Sequence, residues 1–404
     1  MSGWREVSLS EVAPYWTGKV EAQNLNEENF ISADNMLPDK GGIVNSVYAP
    51  TAGKSTSFKP KDILVSNIRP YFKKIWFANK IGGCSNDVIV FRSTNVIVPR
   101  FMYYCLSNDS FFDYMMSGAN GTKMPRGNKQ SIPKYKINLP PLPTQQKIAK
   151  ILSNYDDLIE NNLKRIKLLE ESARLTYEEW FLRFRIDGKK LDIDPESGLP
   201  FGWLNKSFGD VFNINNGYAF KSGDYAEHGV PILRTRDYSQ TKWIKIDQPI
   251  YISEELSQKY TKYYVQEYDL MLIMVGASIG NYGVVLPNDT GLLQNQNQWA
   301  IRVNNGFEKY IFYKLLMMED LIKNLLTKKT GAARDFFRAS FLKELDILLP
   351  DEDTVTLLNK TVQPTFEEIN NLQHQNQLLK EARDILLPRL MTGMIDTDEL
   401  AIAI

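Results

Sequence analysis

The strongest constraint on this chain is that it contains itself twice. "GWREVSLSEVAPYWTG" from Gly3 realigns with "GWLNKSFGDVFNINNG" from Gly202, "FMYYCL" at 101–106 with "YIFYKL" at 310–315, and "INLP" at 137–140 with "ILLP" at 347–350. Self-similarity at so long a period identifies the building unit before any secondary structure is assigned. The first match is offset by 199 residues (3 to 202) and the last by 210 (137 to 347). The second copy therefore carries about eleven more residues in its globular part. Each copy reads as a globular stretch followed by a long heptad segment.

Bulk properties narrow the class. At 404 residues the chain exceeds one ordinary core and implies two or three domains. Hydrophobic residues at 43% and charged residues at 24% are ordinary globular values, which excludes a disordered or fibrous class. Two cysteines, Cys84 and Cys105, build no disulfide framework and suit a reducing cytoplasm. With His228 and His374 the only histidines, no zinc-ligand spacing exists and a His-based general base has few candidates. No signal peptide is expected before Trp4. The apolar run Leu270 to Leu286 is broken by Gly276, Ser278, Gly280, Asn281 and Gly283, so it reads as buried strands rather than a bilayer span. The net charge of zero hides an asymmetry. Residues 1–143 hold 17 Lys and Arg against 11 Asp and Glu, a net of +6, whereas 186–353 hold 19 against 23, a net of −4.

Local pattern gives each copy two parts. Ile63-Leu64-Val65 and Val88-Ile89-Val90-Phe91, bounded by Pro, Gly, Asn or Asp, read as short strands, and 101–116 and 308–326 as helices packed on them. From Thr144, a stripe recurs at alternating spacings of four and three, through Ile148, Leu152, Tyr155, Ile159, Asn162, Ile166, Leu169, Ala173, Thr176 and Trp180. Pro140, Pro141 and Pro143 stop this helix from running backwards, with Thr144 as the expected N-cap. The same stripe in the second copy passes through Leu358, Val362, Thr365, Ile369, Leu372, Asn376, Leu379, Arg383, Leu386 and Leu390, with Pro364 expected to kink or delay it and Pro388 to end or bend it. Asn162 and Asn376 put one amide in each seam, as a register key or a solvated gap. The domain between the segments carries the chain from the end of one helix to the start of the other, so an antiparallel pair needs no long return loop. At roughly 1.5 Å per residue each helix is a rod on the order of 60 Å.

With these residues in hand, the chain resembles a specificity subunit of a Type I restriction-modification system. The stretches that carry the likeness are "INLPPLPTQQKIAKILSNYDDLIENN", "YEEWFLRF", "GDVFNINNGYAFKSGDY" with "GVPILRTRD", and "ARDILLPRLMTGMI". "DILVSNIRPYFKKI" and "YDLMLIMVGASIGNYG" with "NQNQWAIRV" resemble the family's target-recognition domains, and "PDEDTV" at 350–355 stands where the family has a "PPLPTQQ"-like run. The resemblance implies an α+β fold in which two globular target-recognition domains, 1–143 and 186–353, are joined by two long antiparallel coiled-coil helices, one at 144–185 and one that with a C-terminal tail makes up 354–404, with pseudo-twofold symmetry. It also implies a non-catalytic, cytoplasmic subunit that binds double-stranded DNA at a bipartite, asymmetric site and docks two methyltransferase subunits and, through them, motor-nuclease restriction subunits. No cofactor is expected in this chain; S-adenosylmethionine and ATP belong to the partners.

Local strings that imitate catalytic motifs fail on inspection. "TAGKST" at 51–56 has Tyr48 where a phosphate loop needs Gly. "NLPPL" at 138–142 is not the Asn-Pro-Pro-aromatic box of amino-methyltransferases, and "GASIG" at 276–280 has no evident triad partners for Ser278. DNA contact needs cations for phosphates and Arg, Lys, Asn or Gln for base edges. The first copy offers Asn67, Arg69, Lys73 and Lys74 in "NIRPYFKK", and Lys123, Arg126, Asn128, Lys129 and Gln130 in "GTKMPRGNKQ". The second offers Arg234 and Arg236 in "LRTRD", Gln296 and Gln298 in "QNQNQ", and Lys328, Lys329, Arg334 and Arg338 in "KKTGAARDFFR". Any single residue among them reads equally as solvated surface, whereas each loop as a whole reads more as contact. Tyr177, Trp180, Phe181 and Phe184 read first as core packing against the second domain. The rival readings are a scaffold whose heads bind protein, and an enzyme, which the missing motifs disfavour.

Overall fold

The computed structural model describes residues 3–397 except 120, 122, 239–241, 245, 247, 277 and 328–337. The duplication is written into its strand register. Arg5–Ser8 pairs antiparallel with Lys136–Leu139, Arg5 opposite Leu139; Leu204–Ser207 pairs with Asp346–Leu349, Leu204 opposite Leu349. Both ladders keep the offsets of 199 and 210 seen in the sequence. Just outside each ladder a glycine with positive φ turns the chain, Gly3 against Pro141 and Gly202 against Asp351. A Cβ on Gly3 would meet the Pro141 ring at 3.1 Å.

Within the first head, Ile63–Ser66 is the central strand of a three-stranded antiparallel sheet, flanked by Ile75–Phe77 and Val88–Phe91. The second head repeats this with Leu270–Ile273 between Tyr282–Val284 and Gln298–Val303, and adds Phe212–Asn216 at the edge. Both central strands are buried at every residue, which is why they read as unbroken apolar runs. A further four-stranded sheet in each head ends in a short parallel pair, Phe30–Ile31 with Gly82–Cys84 and Val230–Leu233 with Leu293–Gln294. Just before each central strand lies a buried carboxylate held in a two-pronged ion pair. Asp62 accepts Arg92 at 2.7 and 2.6 Å and the Lys59 N–H at 2.8 Å; Asp269 accepts Arg302 at 2.7 Å twice and the Gln266 N–H at 2.8 Å. Nothing in the sequence pattern singled out these clamps. The expected helix at 101–116 is two helices, Pro99–Ser107 and Asp109–Ser117, because Asn108 leaves helical geometry and accepts the Ser110 N–H. Its counterpart is Ile311–Thr327, preceded by a 3₁₀ turn at Glu308–Tyr310.

The long helices are Leu142–Tyr177 and Glu352–Met391. The first starts two residues before the expected cap Thr144. Pro143 fits in the first turn, where no N–H is needed, and the Pro141 carbonyl accepts the Gln145 N–H. Buried Gln145 then ties the start down, accepting the Val98 N–H at 2.8 Å and donating to the Pro140 carbonyl at 2.8 Å. The acidic "PDEDTV" run is itself a cap: Asp351 accepts the Thr354 N–H at 2.9 Å and the Trp203 indole at 2.8 Å, at the positive end of the helix dipole. Pro364 and Pro388 do not interrupt the second helix, which starts well before the first of them and ends just after the second. Both lie on its exposed face, where water can serve the carbonyls they leave unbonded.

Two compact units divide the chain, Met1–Asn161 with Asn376–Ile404, and Asn162–Gln375. In the first, Ile148 and Leu152 share a core with Leu387, Leu390 and Met391, while Asp156 is bonded by Tyr104, Arg100 and, at 2.8 Å, Arg383. In the second, Ile166 and Tyr177 share a core with Val355, Leu358, Val362, Phe366, Ile369 and Leu372, and Arg165 pairs with Glu368. The helices pair antiparallel. Of the expected seam, Leu152, Ile159, Ile166, Ile369 and Leu372 are buried, and Leu169, Leu379 and Leu386 are half-buried. Phe366 and Leu387 take the buried places assigned to Thr365 and Leu386. Tyr177, Trp180 and Phe181 are buried core, Phe181 lying 5.0 Å from the Tyr313 ring. Among the described residues no helix is long and apolar enough to cross a membrane.

Lys314 occupies the place of Cys105 in the repeat and is fully buried, donating to the Tyr268 and Ile301 carbonyls at 2.9 Å each. Burial outweighs the attraction of Asp269 and lowers its ammonium from near 10.5 to about 8. Between those values the unfolded chain holds a proton that the folded chain has released, so this group adds stability as pH rises through the window. The difference in urea stability between the native chain and Lys314→Met should change by on the order of 2 kcal/mol from pH 7.5 to 10; equal pH profiles would show that Lys314 stays charged.

Candidate nucleic-acid interface

The two cationic strings of the first head meet at one surface. After the central strand, the Asn67 N–H bonds the Asp87 carbonyl at 2.7 Å, and the Asn67 carbonyl accepts the Gly127 N–H at 3.0 Å. The Arg69 N–H bonds the Pro125 carbonyl at 2.7 Å, and Ile68 bridges to Arg126. Side chains bind the same three loops together: Arg126 pairs with Asp87 at 3.2 Å and Lys129 donates to the Asn86 carbonyl at 3.2 Å. Lys123, Arg126, Lys129 and Gln130 are exposed. Lys73 shares Asp109 with Lys40, at 2.8 and 2.9 Å, a contact between distant residues that no spacing announced. Lys74 donates to the Ala33 carbonyl at 2.6 Å, and burial lowers its ammonium. Asn67 is buried, and its Oδ1, like Arg69 Nε, has no hydrogen-bond partner among the described residues.

The loop from Asn67 to Lys74 begins and ends in left-handed backbone, at Arg69 (φ 48°) and Lys73 (φ 50°). The second head makes the same turn with glycines, Gly276 (φ 92°) and Gly280 (φ 85°). Matching backbone bonds establish the equivalence, Ser66 N–H to the Lys74 carbonyl and Ile273 N–H to the Asn281 carbonyl, at 3.0 and 2.9 Å. "GASIG" is therefore this turn, with Ser278 exposed near its tip. In "TAGKST", Lys54 is paired with Glu21 at 2.8 Å. At the tip in the first head stand Tyr71 and Phe72, 47% and 37% exposed.

The candidates of the second head separate into interior and surface groups. Arg234 folds back on Asp237 at 3.0 Å and on the Gln248 carbonyl at 2.5 Å, bracing its own turn. Gln298 is fully buried, donating to the Leu233 carbonyl at 2.7 Å and accepting the Tyr238 hydroxyl, so reaching a base edge would break both bonds. Arg236, Gln296 and Arg338 are exposed. Lys328, Lys329 and Arg334 lie outside the described residues. Among the described residues no group of three or more His, Cys, Asp or Glu could hold a metal ion. Both thiols are buried, and burial pushes Cys84 up to about 12 and Cys105 higher still.

A family model for the Type I restriction modification DNA specificity domain matches residues 1–171 and again 200–380, once on each copy of the repeat. The specificity subunit of the MjaVIII Type I restriction enzyme of Methanocaldococcus jannaschii is 24% identical, over 98% of this chain and 94% of its own length. That of the HindI enzyme of Haemophilus influenzae is 22% identical over 98% and 100%. In three dimensions the fold is similar to that of the S subunit of a Type I restriction-modification system from M. genitalium, with a TM-score of 0.56 and 16% identity over 96% of each chain.

Left-handed backbone at a side-chain-bearing residue costs about 1 kcal/mol or more. Arg69→Gly should therefore raise the unfolding free energy by about 1 kcal/mol in urea melts while weakening any anion held at this surface. Loss of stability would show that the Arg69 side chain packs more favourably than its backbone is strained.

Proposed function

This chain belongs to the Type I restriction modification DNA specificity family over both copies of its repeat, and on that premise we propose that it selects the DNA on which a Type I restriction-modification complex acts. Each head reads one part of a bipartite site in double-stranded DNA. The observation that carries this is the convergence of Arg69, Arg126, Lys129 and the exposed Gln130 on adjoining loops of one head, held together by the backbone of buried Asn67, with cations for phosphates beside groups able to pair with base edges. An asymmetric site follows from side chains, since equivalent turns present Arg69, Tyr71, Phe72 and Lys73 in one head and Gly276, Ser278, Ile279 and Gly280 in the other. The chain performs no chemistry of its own. S-adenosylmethionine and ATP serve the methyltransferase and motor-nuclease subunits, and the complex works in the cytoplasm.

A second apolar stripe on the long helices supports docking of two like partners. Leu168 and Leu175 stand seven residues apart and are exposed, Leu168 at 70%. Leu378 and Ile385, also exposed, stand at the same places in the second copy. Residues seven apart share a helix face, and an exposed apolar face in a repeated position suits two copies of one helix-bearing methyltransferase subunit.

Two measurements test the reading. Arg126→Ala with Lys129→Ala should weaken recognition of one half-site only and lower the salt slope of log K by up to about 2; DNA binding by the assembled complex that is absent or insensitive to salt would favour the protein-binding scaffold instead. Leu168→Asp with Leu175→Asp should leave one methyltransferase subunit bound in native mass spectra in place of two, and retention of both would remove the stripe from the docking surface.

A further inference from the structure

We propose that the first head carries an aromatic wedge, Tyr71 with Phe72, that stacks on a nucleobase at an opened step of the bound double helix. This rests on the DNA-recognition reading above. Large aromatic side chains ordinarily bury their area, yet these two neighbours stand out at the tip of a turn. Their ring centroids are 4.7 Å apart and their planes are inclined at 52°, so together they make a tapered edge rather than a flat plate.

The turn is built to hold that edge out. Pro70, buried beneath it, has its φ set by the ring, and the Phe72 N–H closes on the Arg69 carbonyl at 3.0 Å and the Lys73 N–H on the Pro70 carbonyl at 2.8 Å. From behind, the Asp39 N–H bonds the Phe72 carbonyl at 2.8 Å and the Lys40 N–H the Lys73 carbonyl at 3.0 Å, while Asp109 fixes both lysine side chains. Left-handed backbone at Arg69 and Lys73 is retained where the second head has glycine, so strain is concentrated at the base of the tip. A tip braced in this way loses little freedom when it enters a base stack.

Charge identifies the occupant. Arg69, Lys73 and Lys74 adjoin the rings in sequence, Lys73 held by Asp109 and Lys74 by the Ala33 carbonyl, and Arg126, paired with Asp87, is joined through the Ile68 bridge, so cations outnumber carboxylates around the apolar edge. That combination suits a polyanion whose interior is aromatic, because the cations meet phosphates while the rings meet base faces. In the second head the tip positions hold Ser278 and Ile279, so the wedge belongs to the first head alone. The first head would thus read the ease with which a step opens as well as base edges.

The test uses the chain assembled with its methyltransferase subunits and duplexes carrying 2-aminopurine at successive positions of the target site. Within the half-site of the first head, the native complex should raise fluorescence several-fold at one step. Tyr71→Ala with Phe72→Ala should abolish that rise, and Tyr71→Phe should keep it. A rise undiminished in the double alanine variant would overturn the wedge. So would salt-sensitive binding by the native complex with no rise at any position, which leaves DNA recognition intact. Absence of DNA binding by the native complex would remove the parent reading as well, and release of a methyltransferase subunit by the alanine variant, with the fluorescence unchanged, would reassign the rings to protein contact.

Discussion

Closure of each head by its own outermost strands is the constraint on which the rest of this structure depends. Arg5–Ser8 against Lys136–Leu139, and Leu204–Ser207 against Asp346–Leu349, bring the first and last strands of each globular stretch into one ladder. A helix that starts just after such a ladder starts at a place set by backbone hydrogen bonds, not by the loops in between. Extra residues in the second copy can then enlarge its loops without moving the helix start. Different chemistry achieves the same start in the two copies, with Pro141 and the buried Gln145 in one and Asp351 bonded to Thr354 and Trp203 in the other.

Inside the heads the copies agree wherever the backbone is under control and diverge where side chains face outward. Asp62 with Arg92 and Asp269 with Arg302 are the same clamp, and Lys61 and Tyr268 precede them in the same left-handed conformation. A buried, two-pronged ion pair adds little net stability but is costly to break from one side, so it acts chiefly to define one arrangement. The loops beyond the central strands share hydrogen bonds and differ in charge, ring content and glycine. A scaffold that holds its geometry through backbone and buried polar groups leaves its exposed loops free to carry different recognition chemistry.

The helix seams show the same division. Asp156, bonded to Arg100, Tyr104 and Arg383, stands in the first helix where the second has Phe366, packed 5.2 Å from Phe312. One end of the seam is polar and the other apolar, so exchanging the two halves would bury Asp156 without its cations.

The sequence by itself determined the duplication, the central strands and the presence of two long helices with much of their apolar stripe, because backbone periodicity and apolar burial leave a mark on every residue of a regular element. Family membership was legible for the same reason, being carried by long stretches rather than single groups. Tertiary structure alone decided that "NIRPYFKK" and "GTKMPRGNKQ" form one surface, that Gln298 and Arg234 are spent on internal bonds, and that Asp62, Asp109, Asp156 and Lys314 hold distant partners. Contacts between loops depend on where unrelated strands deliver them, and such placement has no period along the chain. Pro364 illustrates the limit from the other side: a local rule forecast a kink or a delayed start, and the helix already begins at Glu352 and runs unbroken past it, with Val362, Phe366 and Ile369 in one core.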